Sequence, residues 1–184
     1  MGKKIFFILL LTLLNGCAYS GYLKDPFDDI PVFDTVDMDI YRGGYPKEQG
    51  YSRLKELKIR TLISFAPVGG RKFDREQLFC RNNNIEFISL PMDEYTWPDE
   101  NKVKTYLMTV LDDSKKPVFI HCINGRGVTG AMTAVYRTIV QGKGPKEGYR
   151  EAIQHGMWAY KGETVLKDYI HRLKDRRELY EIVR

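Results

Sequence analysis

The segment Pro117-Val118-Phe119-Ile120-His121-Cys122-Ile123-Asn124-Gly125-Arg126-Gly127-Val128-Thr129-Gly130 decides how the chain folds. Pro117 to His121 reads as an apolar strand, as expected at the centre of a sheet covered on both faces. Glycines at 125 and 127 then make a loop, which runs directly into a helix expected over about 129–141. A strand–loop–helix junction aims consecutive backbone N–H groups and a helix N-terminus at one point, which suits an anion. Cys122 opens the loop and faces the same positive end, where a thiolate is favoured. A phosphate cradle with a thiolate at its floor is a nucleophilic arrangement for attack on phosphorus.

Outward from this junction, short strands alternate with helical periodicity. Strands are expected at Met38–Arg42, Thr61–Ala66 and Ile85–Leu90. Helices are expected at Lys47–Leu57, Asp74–Asn82 and Asp99–Leu111 on one side of the junction, and over 145–156 and 163–178 on the other. Such alternation implies an α/β layer fold with a partly parallel sheet. The 184 residues suffice for one core of ordinary size. Twelve Tyr and nine Phe exclude a disordered polar chain. The net charge of +5 is spread among acids, so it does not indicate a nucleic-acid partner. The three cysteines, at 17, 80 and 122, form no C-x-x-C pair, which argues against structural zinc.

The N-terminus, MGKKIFFILLLTLLNGCAYS, has a positive start at Lys3 and Lys4 and an apolar run from Ile5 to Leu14. That run has the length of a signal-peptide core and falls short of the about 20 residues a spanning helix needs. Leu14-Asn15-Gly16-Cys17 resembles a bacterial lipobox, so residues 1–16 are expected to be a lipoprotein signal peptide and Cys17 the lipid attachment point. A cleaved secretory signal with an incidental cysteine is the alternative. Several acyl chains anchor a protein stably where one is marginal. Ala18, in place of Asp, favours the periplasmic face of the outer membrane under the enterobacterial sorting rule. Residues 17–36, with two prolines and several Asp, read as the lipidated N-terminus and a tether, and 37–184 as the folded domain.

His121-Cys122, Gly125 and Thr129-Gly130 resemble the H-C-x-x-G-x-x-R-[ST]-G signature of cysteine-dependent protein tyrosine and dual-specificity phosphatases. Tyr41-Arg42-Gly43-Gly44-Tyr45-Pro46, the stretch Leu54 to Ile63, Leu90-Pro91-Met92 and Ala134-Val135-Tyr136-Arg137 extend the resemblance over roughly residues 35–178. It implies a protein-tyrosine-phosphatase-like α/β fold, a central mostly parallel sheet flanked by helices, and catalysis without metal or cofactor. Cys122 would be the nucleophile, with phosphate held by the loop residues Ile123, Asn124, Gly125, Arg126, Gly127 and Val128. His121 would support the loop, or simply be a satisfied core histidine. Thr129 would assist departure of the thiol, or cap the helix. The acid that protonates the leaving oxygen would be Asp93, 29 residues before the nucleophile, with Asp99 of Trp97-Pro98-Asp99 as a helix cap or the alternative acid.

One position departs from the signature. Val128 stands where the family has the arginine that grips the phosphate oxygens, and losing one such donor costs on the order of 3–4 kcal/mol. Arg126, two residues earlier, is expected at the pocket mouth, where a basic residue suits inositol phosphates. Cys80 reads as a buried small hydrophobe, or as a thiol able to resolve an oxidised Cys122. Trp158 reads as core or as a substrate-loop residue. Three functions follow: a phosphatase acting on phosphorylated protein or inositol phosphates, a pseudophosphatase that binds phosphate without turnover, and a scaffold that keeps only the fold.

Overall fold

The computed structural model describes residues 29–157 and 165–183. Cys17 and Trp158 lie outside the described residues. Strands β1 (Asp34–Asp37), β2 (Ile40–Gly43), β3 (Thr61–Ser64), β4 (Glu86–Ser89) and β5 (Val118–His121) form one sheet in the order β1-β2-β5-β3-β4. Only β1 and β2 pair antiparallel; β2, β5, β3 and β4 are parallel. The strand that opens the sequence argument is therefore the middle one. Its alternation divides the core: Val118 and Ile120 join Ile40 and Ile63 on one face, while Phe119 joins Leu62 on the other. A period of two explains why a strand buried on both sides has to be apolar at consecutive positions.

Helices α1 (Glu48–Glu56) and α2 (Gly70–Asn82) cover the Phe119 face through Tyr51, Leu54 and Cys80. On the other face pack α3 (Glu100–Leu111), α4 (Gly127–Ile139), α5 (Pro145–Gln154) and α6 (Val165–His171). Every residue of α4 except Arg137 is buried, as befits a helix apolar nearly all round. Arg137 pairs through two nitrogens with Glu151 of α5, at 2.8 and 2.9 Å. Asp99 caps α3, accepting from Asn101 N at 2.8 Å, and Trp97 lies edge-on to Tyr169 with ring centroids 5.3 Å apart. The literal Trp-Pro-Asp thus anchors the start of a helix.

Three boundaries differ most from the sequence expectation. The sheet begins at Asp34 and Ile30 is buried, so residues 29–36 belong to the fold rather than to a tether. A four-residue strand amid prolines and aspartates shows too little alternation to be recognised. Helix α2 starts at Gly70 instead of Asp74, because its buried stripe is Phe73, Glu76 and Cys80 and the glutamate disguises the period. The helix expected over 163–178 is instead α6, a 3-10 turn at Leu173–Asp175 and a short α7 (Arg177–Tyr180). The interruption falls at Arg176 (ψ 67°), whose guanidinium reaches Glu100 Oε1 at 2.9 Å.

Ile30 seats on Gly43 so closely that a Cβ there would lie 2.5 Å from Ile30 Cγ2. Ile30→Ala is expected to cost about 2–4 kcal/mol in urea unfolding, and no loss would show that residues 29–36 pack without contributing.

Candidate active site

Gly43, His121 and Ser64 stand in one row across β2, β5 and β3, at the carboxyl ends of parallel strands. Ligand crevices of α/β sheets open at these ends. The loop 122–126 rises from that row into α4. Cys122 is a free cysteine, only 8% exposed, and lines a cavity of about 730 Å³ with Phe65, Met92, Glu94, Arg126 and Val128.

The loop's shape is held through its carbonyls. Cys122 O lies 3.1 Å from His121 Nδ1, Ile123 O accepts from Tyr45 N at 3.2 Å, and Gly125 O accepts from Arg42 Nη2 at 2.6 Å. In a trans peptide the C=O and the following N–H point to opposite sides. Turning these three carbonyls onto protein partners therefore turns the N–H groups of Ile123, Asn124 and Arg126 the other way. Among the described residues none of those three N–H groups finds a partner within the chain. Gly125 makes the turn possible: its φ is +73°, and a Cβ would lie 2.5 Å from Gly43 C and Gly44 N.

Arg42 is the residue that sequence reasoning missed at this level. It is 1% exposed, and its neutral partners are Gly125 O and Thr133 Oγ1 at 3.4 Å, while Nε is left unpartnered. Burial pulls the guanidinium below its ordinary value, and Glu151, Asp34 and Cys122 act in the opposite direction. An arginine stays charged in such a place, so a fixed cation underlies the loop. Its signal in the sequence is a charged residue inside an apolar strand, immediately before two glycines.

Val128 is 5% exposed and belongs both to the core and to the cavity wall, presenting neither charge nor donor. Arg126 is exposed and its side chain lies against Gly156, at the cavity rim. Ile123 is 49% exposed, and Asn124 is also exposed beside it. Thr129 is fully buried and its hydroxyl donates to Gly43 O at 3.4 Å. It is not the helix cap, because α4 begins at Gly127 with Arg126 in the capping position.

In the segment before α3, Asp93 closes a turn by accepting from Tyr95 N (2.8 Å), Thr96 N (2.7 Å) and Thr96 Oγ1 (3.1 Å). The Tyr95 amide first, then that of Thr96, hold its carboxyl below the usual carboxylate range. Glu94 lies against the first residue of α4: a Cβ on Gly127 would stand 2.6 Å from Glu94 Oε2. Sequence spacing did not single out Glu94. Cys80 is buried, and burial followed by the Glu76 carboxylate pushes its thiol up to about 12.

The comparisons agree with this geometry. A family model described as "Tyrosine phosphatase family" matches residues 30–143, more than half of the chain. The inositol diphosphatase DSP4 of Arabidopsis thaliana is 29% identical over 111 residues, covering 58% of this chain and 55% of its own length. The dual specificity protein phosphatase TpbA of Pseudomonas aeruginosa is 27% identical over 117 residues, covering 64% and 50%. The chain thus spans about half the length of the curated relatives it matches. Among solved structures, the core catalytic domain of the PP-IP phosphatase SIW14 from S. cerevisiae superposes with a TM-score of 0.72 at 20% identity, over 83% of this chain and 91% of that one. P. aeruginosa TpbA superposes with a TM-score of 0.68 at 22% identity, over the same shares.

Arg42→Met keeps volume but removes the donor beneath Gly125 O. It is expected to cost about 1–3 kcal/mol in denaturant titration and to weaken orthovanadate binding at least about tenfold by calorimetry. Unchanged vanadate affinity in the folded variant would show that the loop holds its shape without Arg42.

Proposed function

The chain belongs to the tyrosine phosphatase family, and we propose that it hydrolyses phosphate monoesters slowly through Cys122. The observation that carries this is the thiol lining a cavity at the start of a loop in which the carbonyls of Cys122, Ile123 and Gly125 are drawn onto protein partners. Cys122 Sγ attacks phosphorus, the ester oxygen leaves with a proton, and water then cleaves the cysteinyl phosphate to return the thiol and phosphate. The loop amides and the cation of Arg42 stabilise the phosphoryl oxygens. The grip that a signature arginine adds is missing at Val128, which sets the rate low. Thr129 assists the second step only if its hydroxyl turns from Gly43 O towards the sulfur.

Two carboxylates compete to protonate the leaving oxygen. Glu94 lies against Gly127, whereas Asp93 must first release its turn. Relatives named inositol diphosphatase and dual specificity phosphatase frame two substrate classes. The cavity favours the second: among the described residues its lining carries one cation, Arg126, against Asp93 and Glu94, and is otherwise largely apolar, with Phe65, Met92 and Ile123. An inositol polyphosphate needs several cations, whereas an aryl phosphate needs one anion cradle and an apolar wall. We therefore favour phosphotyrosine-type monoesters.

A panel of aryl phosphate, phosphoserine peptide and inositol polyphosphate tests this. Weak wild-type turnover of the aryl ester is expected, abolished in Cys122→Ser. Val128→Arg, after a thermal melt shows that it folds, is expected to raise turnover about a hundredfold. Glu94→Gln is expected to slow esters of poor leaving groups more than Asp93→Asn does. A wild type that binds vanadate yet never turns over, with activity appearing only in Val128→Arg, identifies the pseudophosphatase instead.

The lipid anchor at Cys17 is part of the same proposal, resting on the apolar run and the Gly16-Cys17 junction. It puts the domain on the periplasmic face of the outer membrane, facing envelope phosphoproteins. Incorporation of labelled palmitate, lost in Cys17→Ser, is the expected outcome in a bacterial host; equal labelling of both would remove the anchor.

A further inference from the structure

We infer that a second cavity, beside the one that holds the thiol, takes a further anion of the substrate. The substrate class is a phosphopeptide with a carboxylate or a second phosphate one or two residues from the scissile ester, and it rests on the reaction proposed at Cys122. The cavity measures about 350 Å³ and lies between the loop after β5 and the start of α2, with Tyr45, Arg71, Lys72 and Ile123 among its walls. Pro67 and Ile123 line it and the thiol cavity alike, so the two adjoin. Ile123 follows Cys122 directly in the chain, and an extended peptide advances about 3.3–3.6 Å per residue. A group seated past Ile123 therefore belongs to a near neighbour of the residue attacked.

The two cavities differ in charge. Asp93 and Glu94 line the first, whereas no carboxylate among the described residues lines the second, whose charged residues are Arg71 and Lys72. Both cations are exposed, and among the described residues neither enters a salt bridge. Lys72 Nζ stands 5.6 Å from the centroid of the Tyr45 ring, and the Tyr45 amide donates to Ile123 O at 3.2 Å. The residue that carries this charge on its ring is thus itself fastened to the Cys122 loop. The pair is not part of a general basic surface. Arg75, one turn along α2, is engaged by Glu48 at 3.1 Å, while Arg126 lies beside Gly156 and lines the thiol cavity instead. The first turn of α2 brings no acid and no capping side chain to compete for an anion. A flanking anion is repelled from the side of Asp93 and Glu94 and drawn to this one, which orients a peptide across Ile123. Exposed cations add modest affinity and lose it with salt, so what they supply here is selectivity.

The test compares three tyrosine-phosphorylated peptides of one length: flanked by alanine, flanked by glutamate, and carrying a second phosphate on an adjacent serine. The full chain is expected to show kcat/KM about five- to tenfold higher for an anionic peptide than for the alanine one, a preference that added salt removes. Whether the gain falls to glutamate, to the second phosphate or to both identifies the anion. The double variant Arg71→Gln/Lys72→Gln is expected to lose the preference while turning over the alanine peptide as before. Arg71→Glu/Lys72→Glu, which puts acids where a helix N-terminus favours them, is expected to reverse it towards a lysine-flanked peptide. Equal kcat/KM for all three peptides overturns the inference, as does a preference that survives in Arg71→Gln/Lys72→Gln. Turnover of an inositol polyphosphate that exceeds that of every peptide and falls in the same variant overturns the peptide assignment. If no peptide is turned over, the phosphatase reading fails on its own. The same peptides, fluorescein-labelled, then decide the subsite by anisotropy: tighter binding of an anionic peptide, lost in Arg71→Gln/Lys72→Gln, supports it, and equal affinity overturns it.

Discussion

The loop after β5 holds its shape because three of its carbonyls are drawn onto partners within the protein. Three contacts do this, from the His121 ring, the Tyr45 amide and the Arg42 guanidinium, and each comes from a different part of the sheet's carboxyl edge. Peptide planarity converts each pulled carbonyl into an N–H aimed oppositely. The surrounding architecture serves that requirement. Gly43 and Gly44 let β2 approach the loop, Gly125 supplies the left-handed turn, and the parallel pairing of β2 with β5 brings Arg42 under it.

Two buried charges on β2 and α2 make sense only in this setting. A guanidinium or a carboxylate in a core is costly unless something answers its charge. Arg42 is answered by the loop carbonyl, a threonine hydroxyl and the carboxylates of Glu151 and Asp34, and Glu76 meets the His121 ring. The two flank the base of the Cys122 loop and tie it to both faces of the sheet. Such groups contribute little to stability on their own account. They specify one loop shape among several that glycines at 125 and 127 would otherwise allow.

Val128 shows what happens when one element of such a site is exchanged for packing. Its side chain is shared between core and cavity, so the position gains apolar contact where a guanidinium would meet phosphate oxygens. Arg42 and Cys122 remain beside it, while α4 brings neither a charge nor a donor to the cavity wall at 128. The Arg126 side chain lies beside Gly156.

The sequence alone determined the sheet's central strand, the strand–loop–helix junction, the place of Cys122 and the absence of an arginine at 128. Those follow from local periodicity and spacing, which a one-dimensional reading records well. It missed β1, because four residues among prolines and aspartates carry no readable alternation, and it shortened α2, because buried Glu76 looks like a surface residue. Arg42 and Glu76 lie 80 and 46 residues before Cys122, and no spacing rule connects them to it. Glu94 likewise meets Gly127 only through the fold, and Asp93 is occupied by its own turn. Which charges surround the thiol was decided by tertiary structure, since electrostatic partners are chosen by distance in space and a sequence records distance only along the chain.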